Sequence, residues 1–264
     1  MLLLVAAALP VLLGNQPSPA GCVALTGPRV NMRANVARAT SSPWVDSNGW
    51  RFLRNPEAKF CIDAPGSQSA LAAAEAFAYG VDAFVKTTAA GVEFFNRMTA
   101  FLREVPGADF PAMANIGFAD DGSAQAGELM NLLSRRNLLY RVVRNPDAQL
   151  TVNVTSVQAG DPGKQVYEIR QQVGDEKRLL RLYGSEVVMG RLTGDGSHVR
   201  LYLVNYSERP VTGLRVRVLG RYPQVSALVY GLPGARPVDV STDAEATEFT
   251  LTSLNEFAVI ELAR

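Results

Sequence analysis

Val199-Arg200-Leu201-Tyr202-Leu203-Val204, followed by Leu214-Arg215-Val216-Arg217-Val218, is the stretch that decides how this chain is built. Side chains that alternate with a period of two mark strands with one dry face and one wet face. The alternation begins near residue 178. Upstream of it, apolar runs alternate with helix-like blocks. The expected fold class is therefore α/β plus all-β: a mostly parallel three-layer α/β domain followed by an antiparallel β-sandwich. Sandwich strands are expected at 186–193, 198–206, 211–219, 224–230, 236–240, 246–251 and 256–262. Gly194-Asp195-Gly196-Ser197 would form a hairpin turn, because glycine tolerates positive φ.

Working back from residue 178, strands are expected at 60–63, 82–85, 114–119, 138–143, 149–154 and 178–183. Helices are expected at 70–79, 92–103, 124–135 and 162–173. The first of these is built almost wholly of alanine around Glu75 and Phe77, and so many small residues allow close approach to a sheet. Short connections between alternating strands and helices imply a parallel sheet. Residues 21–42 carry no firm pattern, and Ser42 to Trp50 reads as a turn-rich segment with two tryptophans.

The 264 residues are 47% hydrophobic and 19% charged, which is the balance of a globular chain. Lys+Arg total 26 and Asp+Glu 25, a neutrality that argues against a nucleic-acid partner. The arginines between Arg191 and Arg221 fall mostly on the polar phase of strands, which reads as a solvated sheet face. The apolar run Leu2 to Leu13 has the length of a signal-peptide core and is too short for a membrane span. Cleavage is expected near Ala20 or Ala24, giving an exported protein, periplasmic or extracellular; lipoprotein processing at Cys22 is the weaker alternative. If cleavage spares Cys22, it can pair with Cys61 in an oxidising compartment. If cleavage removes it, Cys61 is a lone core thiol.

The single histidine, His198, sits beside the hairpin turn, where no third group would orient it as a base. One histidine and two separated cysteines make a structural zinc site implausible. GxSxG, GxxxxGK and GxGxxG are all absent, and no cofactor is expected. Carboxylates remain as the possible chemistry. Asp120 and Asp121 follow a strand, Glu128 lies in the next helix, and Asp46 sits among Trp44, Asn48 and Trp50. Paired acids beside aromatic platforms cleave sugars, so Asp120, Asp121, Asp46 and Glu128 are the catalytic candidates and Trp44, Asn48 and Trp50 the ligand-binding ones. An Asp-Asp-Gly-Ser turn before a helix is also what N-capping and the helix dipole favour.

Tyr202-Leu203-Val204-Asn205-Tyr206, Val211 to Leu219 and Glu256-Phe257-Ala258-Val259-Ile260-Glu261-Leu262 resemble the C-terminal β-sandwich of bacterial glycoside hydrolases. Ala114-Asn115-Ile116-Gly117-Phe118-Ala119-Asp120-Asp121 through Leu138 to Val143 resembles the amidotransferase-like α/β domain beside that sandwich in trimerising β-galactosidases. The resemblance implies a non-catalytic α/β domain that builds subunit contacts, with the reacting carboxylates on a separate barrel. A (β/α)₈ barrel needs about 250 residues, and the amidotransferase cysteine and histidine have no counterparts here, so neither activity carries over. The expected divisions are a signal peptide at 1–24, an extended lead-in at 25–43, the α/β domain at 44–184 and the sandwich at 185–264. The functional expectation is an exported, non-catalytic protein that binds carbohydrate or a protein partner, accessory to polysaccharide use. A small glycoside hydrolase and a structural assembly subunit, the latter a homo-oligomer, are the alternatives. No membrane span is expected.

Overall fold

The computed structural model of the protein describes residues 9–14, 16–35, 40–107, 110–158 and 160–264. In chain order its first half contains β1 (Val11–Leu12), β2 (Val23–Thr26), β3 (Arg29–Asn35), β4 (Thr40–Asp46), α1 (Gly49–Arg54), β5 (Phe60–Asp63), α2 (Gln68–Tyr79), β6 (Ala83–Lys86) and α3 (Ala89–Glu104). Then follow β7 (Ile116–Phe118), α4 (Ala124–Arg135), β8 (Tyr140–Val142), β9 (Val152–Val154), α5 (Pro162–Val173) and β10 (Leu180–Tyr183). The last strands are β11 (Val188–Gly194), β12 (His198–Asn205), β13 (Val211–Leu219), β14 (Gln224–Val229), β15 (Val238–Thr242), β16 (Ala246–Leu254) and β17 (Phe257–Ala263).

The fold is an α/β region followed by an antiparallel β-sandwich. The parallel strands divide between two sheets, β1-β6-β5-β2 and β8-β7-β9. The sandwich pairs the sheet β10-β13-β16-β15 with the sheet β11-β12-β17-β14. Its interior is filled by Leu192, Leu201, Leu203, Val216, Phe249, Ile260 and their neighbours.

Several sequence expectations change. The strand at 178–183 was expected in the α/β region, but β10 pairs antiparallel with β13 and belongs to the sandwich. The sandwich thus begins before residue 185. The lead-in at 25–43 contains β3, which forms an antiparallel hairpin with β4, and the turn-rich segment that follows holds β4 and the start of α1. The boundary at residue 24 falls inside β2, which pairs in parallel with β5. Residues 2–8 of the apolar leader lie outside the described residues, while Val11 and Leu12 pair in parallel with Phe84 and Val85. The sulfurs of Cys22 and Cys61 are joined in a disulfide that ties the start of β2 to β5.

The alternation in β12 does not produce a wet face. Val199, Leu201 and Leu203 point into the sandwich, while Tyr202 and Val204 join a second core with α2 and Phe257. Both faces of this sheet are dry because α2 lies on its outer side. Ala70, Ala72, Ala73, Ala74, Ala76 and Ala78 are all buried in that helix, and their short side chains let the backbones approach. Nor are the arginines of the polar phase simply solvated. Arg200 is 3% exposed and donates from Nε to Glu261 Oε1 at 2.6 Å. Arg217, also buried, lies 3.2 Å from Glu176 and 3.8 Å from Glu248.

Two buried asparagines join the α/β region to the sandwich. Asn115 donates to Lys177 O at 3.0 Å and accepts from Leu179 N at 2.9 Å. Asn137, in the left-handed region at φ 52°, donates to Val188 O at 3.1 Å and accepts from Gly190 N at 2.7 Å. An amide side chain satisfies a carbonyl and an N–H at once, which neither an apolar nor a charged residue could do.

Candidate functional site

Three of the four carboxylates singled out in the sequence, Asp120, Asp121 and Asp46, are engaged structurally. Arg54 grips Asp120, with Nε 2.8 Å from Oδ2 and Nη2 donating to Oδ1 at 2.8 Å; Oδ1 also accepts from Gly122 N at 3.0 Å. Asp121 Oδ1 accepts from Ser123 N at 2.9 Å, and these bonds to Ser123 hold its exposed carboxyl below the usual range. The α4 N-cap is Ser123, whose hydroxyl accepts from Ala126 N at 3.0 Å. Asp46 lies 3.8 Å from Arg29 across the β3–β4 hairpin. Glu128 is half-buried on α4. Among the described residues no cluster of three or more His, Cys, Asp or Glu side chains could hold a metal.

Trp44 offers no free ring face. Trp44 is clamped by Arg33 and Arg135, whose Cζ atoms lie 3.0 and 3.3 Å from the ring centroid. Two guanidiniums at those distances cannot share one face, so they occupy opposite faces. Trp50 packs on α4, where a Cβ at Gly127 would come within 2.9 Å of its ring, and Arg51 lies over the ring at 4.3 Å. Asn48 is buried and structural: Nδ2 donates to Thr26 O at 2.9 Å and Oδ1 accepts from Arg51 at 3.3 Å. His198 is exposed and stacks on Phe110 with centroids 5.8 Å apart.

Trp44 does line a cleft that sequence reading missed. This opening of about 600 Å³ lies between the β3–β4 hairpin, the C-terminal ends of α4 and α5, and β10. Arg33, Arg135, Arg136, Arg170, Arg178 and Arg181 line it, with Glu186 as the lining carboxylate. Three of these arginines have acidic partners. Arg170 binds Asp175 through Nε at 2.9 Å and Nη2 at 2.7 Å, and Arg178 lies 3.4 Å from the same carboxylate. Arg181 pairs with Glu176 at 2.9 Å. Arg178 also donates to Arg136 O at 2.8 Å, satisfying a carbonyl at the end of α4.

Among the described residues, Arg33, Arg135 and Arg136 have no carboxylate partner within ion-pair distance. Arg135 donates to Pro43 O at 3.4 Å, and its Nε is shielded from solvent without a hydrogen bond. Burial, and then the adjoining Arg33 charge, lower its pKa to about 10. With the indole between them the two guanidinium carbons are about 6 Å apart. Like charges at that distance repel by about 1–3 kcal/mol between bulk water and a partly screened site. An anion touching both would relieve the repulsion. The signal in the sequence was the basic last turns of α4 and α5, Arg135-Arg136 and Arg170, with Arg178 and Arg181 about the start of β10, but a helix end or a strand explains each one singly.

A second charged feature is sealed. Glu75 in α2 has no exposed surface, and its Oε1 accepts from Asn48 N at 2.8 Å, Gly49 N at 3.1 Å and Tyr206 Oη at 2.7 Å. Oε2 has no partner. Burial raises the pKa to about 7 against the lowering effect of those bonds. Gly49 is required beside it, since a Cβ there would lie 2.3 Å from Tyr79 Oη.

No protein-family model matches the chain, and no curated protein matches it in sequence. Its fold is similar to part of α-L-fucosidase isoenzyme 2 from Paenibacillus thiaminolyticus, with a TM-score of 0.59 at 7% identity over 78% of this chain. This chain spans 60% of that enzyme's length. The exo-carrageenase GH42 from Bacteroides ovatus aligns over 80% of this chain and 43% of its own, with a TM-score of 0.40 and 9% identity. The architecture is thus one also found within a glycoside hydrolase. Among the described residues no helix is long and apolar enough to cross a membrane.

Proposed function

We propose that this is a non-catalytic carbohydrate-binding protein, accessory to polysaccharide use, whose binding face is the arginine-lined cleft. The observation that carries this reading is the cleft itself: about 600 Å³ in volume, polar, and lined by six arginines, of which Arg33, Arg135 and Arg136 have no carboxylate partner among the described residues. Its size suits a sugar or short oligosaccharide. The fold shared with part of a fucosidase favours a glycan over a protein partner. A non-catalytic role is favoured because Asp120 and Asp121 are held by Arg54 and the Ser123 turn rather than facing one another across an opening. The amidotransferase-like identity of the β7–β9 region belongs to the same proposal; three parallel strands with α4 and α5 support it. So does export, supported by the apolar leader and the Cys22–Cys61 bond, which suits an oxidising compartment. Processing after Ala20 would keep that bond intact.

The test is native affinity electrophoresis of the chain through gels carrying neutral and acidic polysaccharides, with reducing-sugar release measured on the same polymers. Retardation without release is expected. Release that disappears in Asp120→Asn would establish the hydrolase alternative. Absence of retardation, with a concentration-dependent mass in sedimentation, would favour an assembly subunit.

A further inference from the structure

We infer that the cleft selects an acidic glycan, one whose sugars carry sulfate esters or carboxylates; this rests on the carbohydrate-binding reading above. Both faces of Trp44 are covered by guanidiniums, so the cleft cannot hold a neutral sugar by stacking on that ring. What it offers instead is donors. Arg33 and Arg136 are exposed, and Arg135 is half-buried with an Nε that has no hydrogen bond among the described residues. A planar guanidinium presents paired N–H groups that match the oxygens of a carboxylate or sulfate. Trp44 holds Arg33 and Arg135 rigidly on its two sides, so their spacing is set before a ligand arrives and little side-chain freedom is lost on binding. The whole chain has a formal net charge of only +1, so this basicity is local rather than the diffuse field of a general polyanion binder.

The binding partners would be the anionic groups on neighbouring sugars. One would bridge Arg135 and Arg33 along the edge of the indole, and another would lie toward Arg136. Arg170, Arg178 and Arg181 already have carboxylate partners and form the wall behind.

The experiment compares the full chain on dextran and dextran sulfate, which share a backbone, and on polygalacturonate and its neutral methyl ester. Duplex DNA serves as a non-sugar polyanion. Retention by dextran sulfate, by polygalacturonate or by both is expected, with none by the neutral member of either pair; the two arms distinguish sulfate from carboxylate. The double variant Arg33→Glu/Arg136→Glu should weaken binding by at least about 10-fold with an unchanged circular dichroism spectrum. Should that variant misfold, Arg33→Gln on the exposed hairpin should still weaken binding measurably. Arg103→Glu, on α3 and outside the cleft, should leave binding unchanged. Equal loss in Arg103→Glu, or equal retention by duplex DNA, would overturn the inference. Equal or exclusive retention by the neutral polymers would also overturn it while leaving carbohydrate binding in place. No retention by any polymer would remove both.

Discussion

Glu75 and the arginine cleft both concentrate charge, and they treat it in opposite ways. At Glu75 one carboxyl is enclosed between α2, the start of α1 and Tyr206, where three donors converge on a single oxygen. Its pKa of about 7 means that burial pushes the group toward its neutral form. In the cleft Arg33 and Arg136 reach water, and with Arg135 they lack carboxylate partners among the described residues. The first arrangement ties α1 and the sandwich to α2 within one core, and any ligand would have to open the contact between α2 and the sandwich. The second leaves its charge available from outside. Unneutralised charge is therefore a pointer to recognition only where solvent reaches it.

If the joint is architectural, damage there should cost stability and leave the cleft's affinity per folded molecule unchanged. The largest effect is expected from Phe257→Ala. Phe257 is fully buried and packs on Tyr202 at 6.3 Å, Phe77 at 6.4 Å and Phe101 at 6.3 Å. The loss should be about 3–5 kcal/mol in chemical denaturation. A loss below about 1 kcal/mol would mean that α2 and the sandwich do not share one cooperative core.

Next in size is the pH dependence set by Glu75. Its folded pKa is raised from 4.5 to about 7, so the folded state holds the proton more tightly than the unfolded chain does. The associated stability is fully present below pH 4.5, falls as the pH rises, and is gone above about pH 7. The shift corresponds to a change of about 3 kcal/mol across that window. Denaturation midpoints measured between pH 4 and 8 should show this slope, and Glu75→Gln, which keeps an acceptor oxygen, should flatten it. An unchanged slope in that variant would assign the pH dependence to other groups.

The same contrast explains what could be read from the sequence. The α4, α5 and β13 segments stand at residues 124–135, 162–173 and 211–219, as their periodicity indicates, because each buries one regular face. The β3–β4 hairpin escaped because Val30-Asn31-Met32-Arg33 and Ser41-Ser42-Pro43-Trp44 alternate only weakly. Most of its side chains meet water, and pairing with each other, not burial, makes them strands. β10 was assigned to the wrong layer because local pattern specifies a strand but not its partner. Tyr202, Val204 and Phe257 did carry a signal: apolar residues in the polar phase of β12 and β17 meant a sheet dry on both faces. Most of the cleft was illegible because its arginines come from the hairpin, two helix ends and β10, and only tertiary folding makes them neighbours.

A smaller effect is expected from Asp120→Asn, which removes the charge gripped by Arg54. Side-chain exposures of 10% for Asp120 and 18% for Arg54 place the pair in a partly dry setting. Stability should fall by about 1–3 kcal/mol, the range of a charged hydrogen bond left without its partner. Carbohydrate affinity should be unaffected. Affinity falling in proportion to the lost charge, with stability unchanged, would move the binding face to the α4 N-terminus.

The smallest change in stability should come from Arg136→Ala, and it sharpens the comparison most. The side chain is exposed and has no carboxylate partner among the described residues, so its removal should alter the unfolding free energy by no more than about 0.5 kcal/mol. Any change should be toward greater stability, since Arg135 loses a neighbouring like charge. If the cleft is a recognition site, the same substitution should weaken retention by an acidic polymer while the denaturation midpoint holds still. Glu75→Gln should do the reverse, changing the pH profile of stability without changing retention. A variant pair that fails to separate in this way, with Arg136→Ala destabilising the fold or Glu75→Gln abolishing retention, would show that the cleft and the joint act as one structural unit.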